Sequence, residues 1–227
     1  MSIKSKVVAA AAALTLTGGI GLAGMIPASA ATPSCGSSCA DFFSLVFGSH
    51  HHPNFVVDVF KQAQRTGQPI ILFRTSNSDP AEDFTYSAQG TVHDFFLAGL
   101  VSAALNLHFS AFQAFEIEYA PFGAETGLCV GVGTTAATGT PVSLQPCGVS
   151  SKTIWVVDKT ELIKGHFAPL INGSDTNFSH PFVLTFPQDA FPTDVPRPQL
   201  ITWPLTKFSN GTVNDRQMWS ANLGVLP

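Results

Sequence analysis

Chemistry in a folded chain needs side chains that exchange protons, hold a metal or attack a bond, and few stretches here offer them. His50, His51 and His52 form the densest run of imidazoles. Consecutive strand residues point to opposite faces, so three in a row are poorly placed around one ion. A solvated loop beside Pro53 is the simpler reading. His93 next to Asp94 and His180 before Pro181 stand alone, with no nucleophile at a recognisable spacing. Glu116 and Glu118 share one strand face, yet glycoside hydrolysis needs carboxyls that confront each other across a bond, usually from separate elements. They read as solvent-facing. The chain has no G-x-S-x-G, no H-E-x-x-H and no phosphate-cradling glycine loop. A protein that is not an enzyme, with no cofactor and no metal, is therefore expected.

The first thirty residues read as an export signal of bacterial type: Lys4 and Lys6, then an apolar stretch, then Ala28-Ser29-Ala30 as the cleavage site. No stop-transfer charges follow, so no membrane insertion is expected after cleavage, and the expected location is outside the cell. Removing the two lysines takes the formal net charge from −4 to −6. So acidic a chain has no electrostatic footprint for nucleic acid. Its 19 Phe supply a core, and the abundant Gly and Pro with few charges fit a turn-rich β protein. An oxidising compartment favours pairing the four cysteines. Three connectivities exist; the local one joins Cys35 with Cys39 and Cys129 with Cys147. A zinc site built from Cys35, Cys39 and the histidines is the disfavoured rival.

The elements that would position any site come in repeats. Phe43 to Phe47 and Phe115 to Tyr119 both read as strands. Each is followed by a second short strand, Val56 to Val59 and Cys129 to Val132. Thr66-Gly67-Gln68-Pro69-Ile70 then matches Thr138-Gly139-Thr140-Pro141-Val142, and the units close at Glu82-Asp83-Phe84 and Thr153-Ile154-Trp155. A looser third copy starts at the strand Phe182 to Thr185, continues through Arg197 to Thr202, and ends in Gln217-Met218-Trp219. Asn172-Gly173 and Asn210-Gly211 are hairpin-closing dipeptides. Residues 94–114 exceed the repeat. Leu97, Leu100, Val101, Ala104 and Leu105 fall at helical spacing, whereas Asn106 to Phe109 alternates, so a short helix and an apolar hairpin both fit.

A cysteine-bearing strand, a G-T-P-V strand, a second cysteine eighteen positions on and a closing tryptophan occur in order from Cys129 to Trp155. This order resembles one repeat of a ricin-type lectin, with Thr153 where the family's Q-x-W has glutamine; Gln217-Met218-Trp219 keeps all of it. The resemblance implies an all-β fold, a β-trefoil of three pseudo-repeats (about 42–93, 115–158 and 167–226), with a short helical insertion possible between the first two. It implies the Cys129 to Cys147 bridge and equivalent core positions for Phe84, Trp155 and Trp219. The expected organisation is a signal segment at 1–30, an extension at 31–41 with Cys35 and Cys39, and the trefoil at 42–227.

In that family a carboxylate on the first hairpin strand accepts bonds from sugar hydroxyls, a ring at the end of the second stacks on the pyranose, and an amide lies beside the Q-x-W. Carried over, repeat one offers Asp58 and Phe73, with Ala81 in the amide's place, Glu82 for the glutamine, and Asn77 as the substitute amide. Repeat two has Gly131 and Gln145 instead. Repeat three has Thr185 and Thr202, with Trp203 one position displaced and Asp215 and Gln217 nearby. The expected partners are extracellular or cell-wall glycans. The alternatives are a protease-binding trefoil acting through residues 187–196, or a structural protein with no ligand. Oligomeric state has no signature in the sequence.

Overall fold

The computed structural model describes residues 39–46, 55–76, 79–161, 167–188 and 198–221. The expected signal segment at 1–30, Cys35, the three consecutive histidines, Asn77 and most of the 187–196 loop lie outside them. Among the described residues the strands are β1 Phe42–Ser44, β2 Phe55–Val59, β3 Ile70–Arg74 and β4 Phe84–Thr91 in repeat one. Repeat two contributes β5 Gln113–Tyr119, β6 Leu128–Val132, β7 Thr140–Pro146 and β8 Ile154–Val157. Repeat three contributes β9 Leu170–Asn172, β10 Phe182–Thr185, β11 Ile201–Pro204 and β12 Trp219–Ala221. Its first strand is thus β9, ahead of the Phe182 strand with which the sequence copy began.

Six strands close a barrel. β12 pairs with β1, β4 with β5, β5 with β8, and β8 with β9, all antiparallel. Two short bridges complete the ring. Ala40 and Phe84 exchange backbone bonds of 2.7 and 3.1 Å, and Ala168 and Trp219 exchange bonds of 2.9 and 3.0 Å. The other six strands form three hairpins, β2–β3, β6–β7 and β10–β11, whose second strands meet as a triangle. Leu144 N donates to Gln68 O, Leu200 N to Ile70 O, and Val142 N to Leu200 O. Gly67 and Gly139 mark equivalent turns at φ 81° and 77°, a region open to glycine, and each sends its N–H to the neighbouring hairpin. A barrel capped by three hairpins in threefold arrangement is a β-trefoil.

Alternation along each strand sorts side chains between faces. Phe55, Val57 and Val59 of β2 enter the main core, while Val56 and Asp58 point the other way. Phe84, Trp155 and Trp219 each stand two residues beyond a 3₁₀ turn (Pro80–Glu82, Ser151–Thr153, Asp215–Gln217) and are fully buried together in that core. Trp155 Nε1 donates to Val130 O at 2.8 Å and Trp219 Nε1 to Leu184 O at 2.9 Å, so both indoles are satisfied by the hairpin strand of their own repeat.

The segment between repeats one and two is helical. α1 Val92–Leu97 starts in a capping box between Thr91 and Asp94, and α2 Ala103–Phe109 is capped by the Ser102 hydroxyl. Phe95, Val101 and Leu105 pack on Ile154, Val156 and Ile171, barrel residues that face away from the main core, and on Val183 of the β10–β11 hairpin. No helix among the described residues is long and apolar enough to cross a membrane.

Cys129 and Cys147 are bridged, tying β6 to the end of its own hairpin. Cys39 is disulfide-bonded as well. Glu116 and Glu118, expected at the surface, are buried instead. Glu116 accepts from Gly148 N at 2.9 Å and from the Thr153 hydroxyl at 2.5 Å, and Glu118 accepts from Gly127 N at 2.6 Å. Donors from the surrounding loops reach both carboxylates, which alternation along the strand cannot reveal.

Candidate functional site

The hairpin register fixes which residues are equivalent. Asp58 lies opposite Ile71, Gly131 opposite Ser143, and Thr185 opposite Ile201. Two residues further along the second strand stand Phe73, Gln145 and Trp203, each paired across its hairpin, with Val56, Cys129 and Val183. Trp203, rather than Thr202, therefore takes the ring position of repeat three. Thr202 is fully buried and donates to Ala137 O at 2.8 Å.

Beside each hairpin the 3₁₀ turn contributes one more position: Glu82, Thr153 or Gln217. The loop after the second strand presents a backbone N–H to it, and all three repeats satisfy that donor. Ser76 N donates to Glu82 at 3.0 Å, and Thr206 N donates to Gln217 Oε1 at 2.7 Å. In repeat two Thr153 is too short to reach, and Glu116 accepts from Gly148 N in its stead.

Between these parts lie bays of different character. In repeat two the bay is filled: a Cβ on Gly131 would stand 2.7 Å from Lys152 O and 2.9 Å from the Thr153 methyl. In repeat three a cavity of about 190 Å³ is walled by Thr185, Ile201, Trp203, Thr206, Asn214 and Arg216, with Trp203 42% exposed. Gln217 is 2% exposed and fully engaged, its Nε2 donating to Thr185 Oγ1 at 3.1 Å and Pro204 O at 3.0 Å, so it clips the turn to the hairpin.

In repeat one a larger cavity of about 360 Å³ is lined by Asp58, Gln62, Ile71, Phe73, Asp79 and Ala81. Asp58 and Phe73 are thus brought together, and Glu82 sits directly behind. Asp58, Asp79 and Glu82 place one carboxylate oxygen each within 4.8 Å of one another. Burial pushes Asp58 up to about 7, with the charge of Asp79 adding to the rise. Burial pushes Glu82 up to about 8; the Ser76 N–H opposes this, and the charges of Asp41, Asp58 and Asp79 reinforce it. Sequence reasoning missed Asp79, whose signal was present as Asp-Pro: its side chain accepts from Ala81 N at 3.0 Å and caps the turn that carries Glu82.

Barrel, hairpin cap and bays define the class as a β-trefoil with two open bays at pseudo-equivalent positions. No protein-family profile and no curated protein matches the chain. Among solved structures it is similar to ThreeFoil, a designed threefold-symmetric protein, at 10% identity and a TM-score of 0.53, over 82% of this chain and 98% of that one. A mosquitocidal holotoxin matches at 11% identity and a TM-score of 0.49, over 81% of this chain and 17% of the toxin.

Proposed function

We propose that this protein is a secreted, non-catalytic lectin of ricin-like type that binds glycans in the open bays of repeats one and three. The trefoil fold is compatible with a carbohydrate-binding module. The observation that carries the reading is Trp203, a 42% exposed indole on the wall of a cavity edged by Thr206, Asn214 and Arg216. A pyranose has an apolar C–H face and a rim of hydroxyls, and a ring beside polar edges suits both. Asp58 and Phe73 supply the same pairing in repeat one. The disulfide between Cys129 and Cys147 suits an oxidising compartment outside the cytosol. Residues 187–196, on which a protease-binding alternative rests, lie mostly outside the described residues, and no observation favours it.

A glycan array of the purified protein beside Trp203→Ala and Asp58→Ala tests this. We expect a defined set of bound glycans, and a loss of about tenfold or more in affinity on removing the indole. A blank array, or binding that neither substitution changes, refutes it.

A further inference from the structure

Repeat three explains what is unusual in repeat one. Gln217 and Thr185 meet through an N–H donor and a hydroxyl acceptor, 3.1 Å apart. The hairpin register puts Asp58 at the position of Thr185, and the 3₁₀ turn puts Glu82 at that of Gln217. An ionised carboxylate has no donor, so once both groups have lost their protons the contact is acceptor against acceptor.

The other members of the group are already engaged. Glu82 accepts from Ser76 N and from the Thr75 hydroxyl, and Asp79 Oδ1 accepts from Gln62 Nε2 and Ala81 N. Asp58 has no hydrogen-bond partner among the described residues, although it is only 5% exposed and lines the cavity. No lysine or arginine among the described residues pairs with any of the three; Lys61, on the cavity wall, sits over the Phe60 ring. A buried carboxylate with neither donor nor counter-charge is strongly disfavoured, and two more beside it compound the cost.

We infer that Asp58, Asp79 and Glu82 form a calcium-binding site at the floor of the repeat-one bay. Every available ligand is a hard oxygen, with no thiolate or imidazole in the group, which favours calcium or magnesium over zinc or copper. Opposed oxygens around calcium lie about 5 Å apart, so the 4.8 Å envelope of the three carboxylates accommodates the ion. Magnesium dehydrates reluctantly and is seldom held by side chains alone, so calcium is the selected ion. The remaining coordination positions open onto the cavity.

Isothermal titration of calcium into chelator-treated protein near neutral pH, with thermal unfolding in parallel, tests the site in wild type, Asp58→Asn and Glu82→Gln. Wild type is expected to bind one calcium and unfold at a higher temperature with it, and to respond less to magnesium. Glu82→Gln restores the donor found in repeat three. It should fold at least as well as calcium-free wild type while its calcium affinity falls about tenfold or more. Asp58→Asn should lose affinity likewise. Wild type that is indifferent to low-millimolar calcium overturns the site, as does calcium binding that survives both substitutions. No glycan enters these titrations, so a blank glycan array leaves the calcium site standing, and silence toward calcium leaves the lectin reading standing.

Discussion

Gly131 has no side chain, and the carbonyl of Lys152 closes to within 2.7 Å of where a Cβ would stand. The same trefoil position holds Asp58 in one repeat and Thr185 in another, so a single residue decides whether a bay is filled, acidic or hydrogen-bonded. Asp41 shows the cost of acidic burial on the barrel side. It is 1% exposed, and burial, then the charge of Asp83, pushes it up to about 7 from 3.8. A carboxyl whose folded value is raised binds its proton more tightly in the folded state. Its contribution to stability is whole below about pH 3.8 and is lost as pH rises through about 7. Urea unfolding at pH values on either side of that window should show lower stability on the alkaline side, with a smaller difference in Asp41→Asn. A flat or inverted profile contradicts this. Asp58 and Phe73 were legible because both lie in strands whose spacing the sequence preserves. Trp203 was misplaced by one because hydrogen bonds to β10, rather than residue spacing, set the register of a short strand between prolines.

The helical insertion shows where periodicity helps and where it misleads. Leu97, Leu100, Val101, Ala104 and Leu105 look like one helical stripe, yet Gly99 at φ 74° separates two helices. Val101 and Leu105 are buried, while Leu97 is 71% exposed. The spacing admitted a helix and a hairpin alike, and neither that choice nor the break could be read, because both depend on the outer face that Val101 and Leu105 cover. Thr91 holds the first helix at its start: its hydroxyl accepts from Asp94 N, and Asp94 Oδ2 accepts from Thr91 N at 2.7 Å. Thr91→Ala should cost about 1 kcal/mol. Hydrogen exchange should speed up over Val92–Leu97, with barrel strands β9 and β12 unchanged. Uniform acceleration along the chain would show that the insertion does not open independently.

At the scale of the molecule, the three repeats share one core, and no repeat can bury its own apolar face alone. Trp219 closes it, packed in the cluster while its backbone bridges to Ala168 to join β12 with the β9 side of the ring. Trp219→Ala should therefore destabilise the whole fold by about 3–5 kcal/mol, with all probes of unfolding shifting together. Loss confined to repeat three would mean that the repeats unfold separately. The threefold plan could be read from Phe84, Trp155 and Trp219, whose spacing from their turns survives extensive divergence. The closing bridges could not, since they join residues far apart in sequence through backbone atoms alone.

The hairpin triangle also bears on how such a chain can change. Each bay is built from its own hairpin and its own turn, while the core beneath is common property. Substitutions at Asp58, Gly131 or Thr185 can retune one recess without renegotiating the other two, so the scaffold behaves as three separately editable sockets on one shared foundation.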